Sequence, residues 1–284
     1  MRVISTVADM RQARQQMAGP PWRIGLVPTM GALHEGHLSL VRGARADDDT
    51  VVVSIFVNPT QFGPSEDYAL YPRDPERDLA LLRDLGTDLV FMPSAEEMYP
   101  KGFDTHVEVE KLTQRLEGAS RPGHLRGVAT VVTKLFNVVQ PHRAYFGQKD
   151  AQQLAVIRRL TRDLDLPIEV VGLPTVREPD GLAMSSRNAY LSPEERKAAL
   201  VLYRSLEAAQ ELWRSGVRDA SLIRRRMNEV LAAPATGGLS RVDYVSVADA
   251  ETLEELETVD RPALVSVAVR IGKTRLIDNV TLSP

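Results

Sequence analysis

Cysteine is absent from the 284 residues, which removes disulfides, thiolate zinc sites, iron–sulfur clusters and cysteine nucleophiles together. A reducing, cytoplasmic setting is the expectation. A basic excess is lacking too: 35 lysines and arginines stand against 38 aspartates and glutamates, for a formal charge of −3 and a pI near 6.0. A chain that tracks long nucleic acid usually carries the opposite balance, so no nucleic-acid partner is expected. Long apolar runs are missing as well. The longest, "VVVSIFV" at 51–57, is far short of a membrane span, and the start "MRVISTVADMRQARQQ" has no apolar core of a signal peptide. The expectation is a mature, soluble protein with no membrane partner.

What is present is ordinary for a globular chain, 43% hydrophobic and 26% charged, enough for one large core or two modest ones. Short β-branched runs alternate with longer amphipathic ones. "RIGLV", "TVVVSIFV", "TDLVFM", "AYFG" and "IEVVGLPTV" read as strands, and "HLSLVRGAR", "PERDLALLRDLG", "GVATVVTKLFNVV" and "DAQQLAVIRRLTRDL" as helices between them. That order predicts an α/β fold, a Rossmann-like doubly wound parallel sheet.

The texture changes after Val176. Ser192, Pro193 and Glu195 in "LSPEERKAALVLYRSLEAAQELWRSG" form a capping box that opens one long helix. A second helix is predicted at about 219–232, with a break near "APATGG". "RVDYVSVAD" and "PALVSVAVRIGKTRLIDNV" then read as an antiparallel sheet. The predicted organisation is a Rossmann-like domain at 1–175 and a smaller C-terminal α+β domain at 176–284. "REPDGLAMSSRN", between them, is weakly periodic and reads as a loop.

Four places can carry chemistry. In "GLVPTMGALHEGHLSLV" the strand is expected to end at about Val27, and Gly31 and Gly36 admit a close ligand approach. A helix then starts, and its free amides and dipole suit phosphate, with His34 and His37 adding donors on one face. Only Glu35 and Gly36 separate the histidines, which excludes the H-E-x-x-H spacing of a zinc protease. In "GQKD", Lys149 is a candidate phosphate ligand, against the plain alternative of a solvated lysine, and Asp150 is either a helix cap or a ribose acceptor. "MSSR" offers two hydroxyls and a guanidinium, against a plain turn. Asn58 and Gln61 follow a buried strand, where amides can orient a polar substrate or simply make a turn before Pro59. "RIGKT" at 270–274 lacks the first glycine of a P-loop and reads as a hairpin turn. "EGASRPGHLRG", with Glu117, Arg121, His124 and Arg126, reads as a substrate flap or a solvated loop.

"PTMGALHEGH", "VNPTQF", "YPR", "FGQKD" and "MSSRN", in this order over residues 28–188, resemble the pantothenate synthetase family of pantoate and β-alanine ligases. The histidine pair is similar to the HIGH signature of nucleotidylyl transferases and "MSSR" to their KMSKS-type loop. The resemblance implies a smaller C-terminal lid domain, a homodimer, and ATP with Mg2+. It implies two steps: pantoate and ATP give pantoyl adenylate and pyrophosphate, then β-alanine displaces AMP. By position, ATP would meet Met30, Gly31, Ala32, Leu33, His34, Glu35, Gly36 and His37, then Gly147, Gln148, Lys149 and Asp150, then Val176, Met184, Ser185, Ser186 and Arg187. Pantoate would meet Gln61 and Gln153, and β-alanine would approach Gln61. His37, His34, Lys149 and Arg187 would be catalytic. The metal ligands and the base for β-alanine are not assigned. Rival readings are a nucleotidylyl transferase with a phosphate acceptor, a small aminoacyl-tRNA synthetase, and a nucleotide-sensing module without turnover.

Overall fold

The computed structural model describes residues 1–17, 22–64, 66–232 and 238–283, and within it the chain divides into two compact units. Unit 1 comprises Met1–Gln148 and Val156–Pro174; unit 2 comprises Lys149–Ala155 and Thr175–Pro284. The segment 149–155, expected within the first domain, thus groups with the second.

In unit 1 the elements run β1 (Arg2–Ile4), α1 (Val7–Gln16), β2 (Ile24–Thr29), α2 (Glu35–Asp47), β3 (Thr50–Ile55), α3 (Pro75–Asp84), β4 (Leu89–Phe91), α4 (Ala95–Met98), α5 (Glu117–Ser120), α6 (His124–Val139), β5 (Arg143–Gly147), α7 (Ala151–Asp163) and β6 (Glu169–Leu173). The division between units runs through α7. The six strands form one parallel sheet in the order β1-β4-β3-β2-β5-β6. From β2 the chain winds outward through β3 and β4 on one side, then returns to place β5 and β6 on the other. The order therefore reverses between β2 and β5, where open α/β sheets collect ligands at the carboxyl ends of their strands.

The sequence makes this sheet because its strands are apolar on both faces. Val51 and Val53 pack with Val27, Tyr145 and the Leu40, Val41 and Ala44 face of α2, while the alternate residues Leu26, Val52 and Ala144 are fully buried as well. A strand apolar on both sides belongs in a sheet covered on both sides. Each such side chain contributes about 1.5–3 kcal/mol by leaving water, which outweighs the weak intrinsic strand preference.

The strand expected to end at Val27 continues to Thr29 and carries Pro28 within it, paired opposite Ser54. β1 and α1 have no counterpart in the sequence reading. Arg2 and Val3 are exposed and only Ile4 of β1 is buried, so the strand has almost no apolar signature.

In unit 2, α8 (Pro193–Ala198), α9 (Leu200–Arg214) and α10 (Ala220–Leu231) precede an antiparallel sheet of β7 (Ser240–Asp249), β8 (Ala263–Ile271) and β9 (Thr274–Leu282), in the order β7-β8-β9. Ser192 caps α8 with the expected box: its hydroxyl accepts from the Glu195 amide at 3.2 Å, and the Glu195 carboxylate accepts from the Ser192 amide at 2.9 Å. The expected single long helix is interrupted at Ala199, which separates α8 from α9. Val265, Val267, Val269 and Ile271 of β8 pack with Leu202 and Leu206 of α9 and Ile223 and Met227 of α10. "RIGKT" is a two-residue hairpin turn, with Ile271 paired to Thr274. The break expected at "APATGG" falls on 233–237, outside the described residues.

Candidate active site

The turn from Met30 to His37 is built on a left-handed backbone. Gly31 has φ +82 and Ala32 φ +50, the second a conformation that costs a residue with a Cβ unless something holds it. Asp78 of α3 does so. Its carboxylate accepts from the amides of Ala32 and Leu33, both at 2.8 Å, and the side chain is 1% exposed. Burial pushes its carboxyl above the usual range, against the opposing pull of the two amides. Arg77 reinforces the clamp by donating to the Leu33 carbonyl at 2.9 Å.

The two histidines cap α2 for each other. His34 is the N-cap residue; its Nδ1 accepts from the Gly36 amide at 3.1 Å, and Nδ1 of His37 accepts from the His34 amide at 3.4 Å. The rings lie 4.1 Å apart, tilted by 41°. An amide can only donate, so each Nδ1 presents a lone pair and each neutral ring carries its proton on Nε2. In this arrangement both rings present Nε2–H. The amides of Ala32, Leu33, His34 and Gly36 are bonded within the protein, so the turn presents fewer open donors than a bare helix start.

Gln61 closes a 3₁₀ turn, Pro59–Gln61, that Asn58 caps. The Asn58 carbonyl oxygen accepts the hydroxyls of Tyr99 (2.8 Å) and Thr60 (2.9 Å), which turns its amide nitrogen toward Oε1 of Gln61 at 3.1 Å. Nε2 of Gln61 then lies 3.2 Å from Sδ of Met30. Gln61 presents its amide N–H group beside the turn that begins at Met30. α6 reaches this turn because residue 127 is glycine: any side chain there would run into the Thr60 carbonyl, and the Gly127 carbonyl itself accepts from Asn58 at 3.2 Å. A cavity of about 250 Å³ adjoins the turn in unit 1, lined by Met30, Gly31, Phe56, Tyr68, Arg73 and Asp78 among others.

The segment 117–127 is not solvated throughout: Glu117, Gly118, Leu125 and Gly127 are buried, while Ala119, Ser120, Pro122, Gly123 and Arg126 are exposed. It forms α5 and the start of α6, Glu117 is 6% exposed, and Arg121 grips Glu66 with two bonds of 2.7 Å. Burial alone would raise the Glu66 carboxyl, but the bonds and charge of Arg121 outweigh it and hold the group at about 2. His124 donates Nδ1–H to the Gln61 carbonyl at 2.9 Å, and burial, aided by the charge of Arg121, lowers its pKa to about 4. Both shifts act in one direction. Between pH 6.5 and 4 an unfolded chain binds a proton that folded His124 refuses, and between 4.5 and 2 the same holds for Glu66, so stability falls as pH drops through both windows. Urea midpoints at pH 7, 5 and 4 are expected to fall less steeply for His124→Gln than for the wild type; parallel declines would count against the assignment.

Lys149 and Asp150, in unit 2, complete the 3₁₀ turn Gln148–Asp150 that follows Gly147 at the end of β5. The Lys149 side chain is 19% exposed, which does not match a solvated surface lysine, and its Nζ stands 3.9 Å from Asp150, itself half exposed. Gln153 follows in α7, half buried. "REPDGLAMSSRN" is more ordered than expected. Arg177 bridges Ala183, the Met184 amide donates to the Val176 carbonyl at 3.0 Å, and Ser185 caps a 3₁₀ segment, Ser186–Tyr190, by accepting from the Arg187 amide at 3.3 Å. Sequence reading missed Asp78, Tyr99 and Asn279, whose amide reaches the Lys149 carbonyl at 2.8 Å.

A doubly wound parallel sheet, with paired imidazole donors at the reversal point of its strand order, defines a nucleotide-binding α/β protein. The family profile described as Pantoate-beta-alanine ligase matches residues 2–281. The pantothenate synthetase of Roseiflexus sp. (strain RS-1) is 62% identical over 282 residues, covering 99% of each chain. Among solved structures, pantothenate synthetase from Thermus thermophilus superposes with a TM-score of 0.93 at 54% identity and full coverage of both chains. A pantoate-β-alanine ligase from Francisella tularensis, complexed with β-γ ATP and β-alanine, gives 0.79 at 34% identity over 99% of this chain and 97% of its own. The chain belongs to the pantoate-β-alanine ligase family, and it is an ATP-dependent ligase.

Proposed function

We propose that the chain joins pantoate to β-alanine through a pantoyl adenylate, with His34 and His37 as the donors that carry the first step. The observation behind this reading is the pairing in which Nδ1 of each ring accepts a backbone amide, at 3.1 Å for His34 and 3.4 Å for His37, which leaves Nε2 to carry the proton. A carboxylate is already ionised at neutral pH, so attack of pantoate on the α-phosphorus needs no strong base. Positioning and neutralisation are what remain, and two fixed donors address the charge that moves onto the departing pyrophosphate.

Lys149 and Arg187 are assigned to the same phosphates, and the remaining residues of 30–37, 147–150 and 184–187, with Val176, to ATP. Gln61 is assigned to pantoate as a donor to its oxygens, with β-alanine approaching the same amide; Gln153 is the second pantoate contact. Among the described residues no three acidic or imidazole side chains stand together around one ion, and both oxygens of Asp78 are taken by amides. Mg2+ therefore enters the reading as part of the substrate MgATP. No helix among the described residues is long and apolar enough to cross a membrane. Family membership supports a cytoplasmic homodimer, which light scattering of the purified protein tests.

The test of the two-step reading is exchange of labelled pyrophosphate into ATP. It is expected to depend on pantoate and to proceed with β-alanine absent, since nothing in the displacement at α-phosphorus uses the amine. ADP as the nucleotide product, or a requirement for β-alanine, would overturn the adenylate.

A further inference from the structure

The middle of the last strand carries two polar residues that the reaction, as described so far, does not use. Asp278 and Asn279 are 2% and 9% exposed, in a strand whose neighbours Leu276 and Leu282 are core. Burying a carboxylate and an amide is costly unless each has a dedicated partner. Both do. Asp278 takes the guanidinium of Arg177 through two bonds, 2.6 Å from Nη1 and 2.9 Å from Nη2. Arg177 in turn donates to the Gly181 carbonyl at 3.0 Å and stacks over Tyr203 at 4.9 Å. It thus pins the short hairpin in which Arg177 bridges Ala183 and Val176 bonds Met184, the residue that opens the "MSSR" segment. Asn279 donates from Nδ2 to the Lys149 carbonyl at 2.8 Å. The backbone N–H of Asn279 donates to the Asp278 carboxylate at 2.8 Å, which ties the Asp278 side chain to the strand backbone at Asn279.

Successive residues of a strand face opposite ways, which is why neighbours can serve two separate segments. β9 is also an edge strand of its sheet, so no further strand competes for the space beside it. All of these groups belong to unit 2.

We propose that Asp278 and Asn279 are positioning residues for adenylate formation: Asn279 sets the backbone from which Lys149 reaches the phosphates, and Asp278, through Arg177, sets the hairpin that carries Met184 to Arg187. The inference rests on the assignment of Lys149 and Arg187 to ATP. It goes beyond that assignment by naming what places them. Reacting groups displaced by about 1 Å lose up to a hundredfold in rate, so partial release of one segment costs about tenfold.

A double-mutant cycle separates this role from a merely structural one. Asn279→Ala is expected to lower kcat for pantoate-dependent pyrophosphate exchange about tenfold, leaving KM for pantoate unchanged, and to have no further effect in a Lys149→Ala background. Asp278→Asn, which keeps the shape, is expected to act alike and to lose its effect in an Arg187→Ala background. Thermal melts accompany every variant. Losses that simply multiply in both cycles, a loss of exchange matched by unfolding at the assay temperature, or full activity in Asn279→Ala and Asp278→Asn would each overturn the positioning role. Normal exchange in Lys149→Ala is a different result: it removes Lys149 from the site and takes the proposal with it.

Discussion

His37→Ala is expected to slow single-turnover adenylate formation by about a hundredfold, the scale on which a preorganised donor acts when charge develops in a transition state. The expectation rests on the tautomer in which Nδ1 of His37 accepts and Nε2 carries the proton. His37 reaches the reaction with its proton already on Nε2, because the His34 amide occupies Nδ1. The same bond is long, 3.4 Å, so its loss weakens the start of α2 only slightly and the fold survives. Circular dichroism unchanged together with near-normal adenylation would remove His37 from the mechanism. His37→Gln is informative beside it, since an amide offers a donor but not the ring's reach, and a partial return of rate identifies hydrogen bonding as the contribution.

The second large effect lies outside the residues assigned to substrates. Asp78→Ala takes away the carboxylate to which the amides of Ala32 and Leu33 donate, and each lost acceptor costs about 1–3 kcal/mol. Relief of the buried carboxylate's own desolvation, visible as its raised pKa, offsets part of this. The net expectation is a loss on the order of 3 kcal/mol of stability in urea titration, near the upper range for a single substitution. Activity should fall with it, because the same clamp holds Ala32 at φ +50 beside the imidazoles. Asp78→Asn is not a mild replacement: one oxygen can still accept, while its NH₂ group faces a backbone donor. An unfolding midpoint unchanged in Asp78→Ala would mean that the turn stands without the clamp.

Asp78 also shows how far the sequence could be read. The parallel strands were legible because Val51 to Val53 and their neighbours are apolar on both faces, and the cap at Ser192 because Glu195 and Pro193 sit at fixed offsets from it. The histidine pair stood out by its place between a strand and a helix. What the pair does with its lone pairs was not legible, since that depends on backbone amides with no letter in the sequence. Asp78 did leave a trace. It stands four residues before Leu82, which is fully buried, so it lies on the stripe of α3 that should be apolar. A charge on that stripe asks for a buried partner. The partner is 45 residues away in sequence, and spacing gives no clue to it. Glu117 and Arg121 misled for the opposite reason: a run rich in charge and glycine looks solvated, yet the pairing of Arg121 with Glu66 spans 55 residues and takes both charges out of water.

Because the turn's amides are already committed to Asp78, inhibitor chemistry for this enzyme differs from that for proteins whose glycine-rich loops cradle phosphate with bare backbone. An anionic fragment aimed at the amides of Ala32 and Leu33 would have to displace an intramolecular carboxylate already seated at 2.8 Å on both. Tetrazoles, sulfonates and other phosphate mimics would meet a place already filled by like charge. On the proposed assignment of His34 and His37, the complementary handle is an acceptor set to receive both imidazole N–H groups.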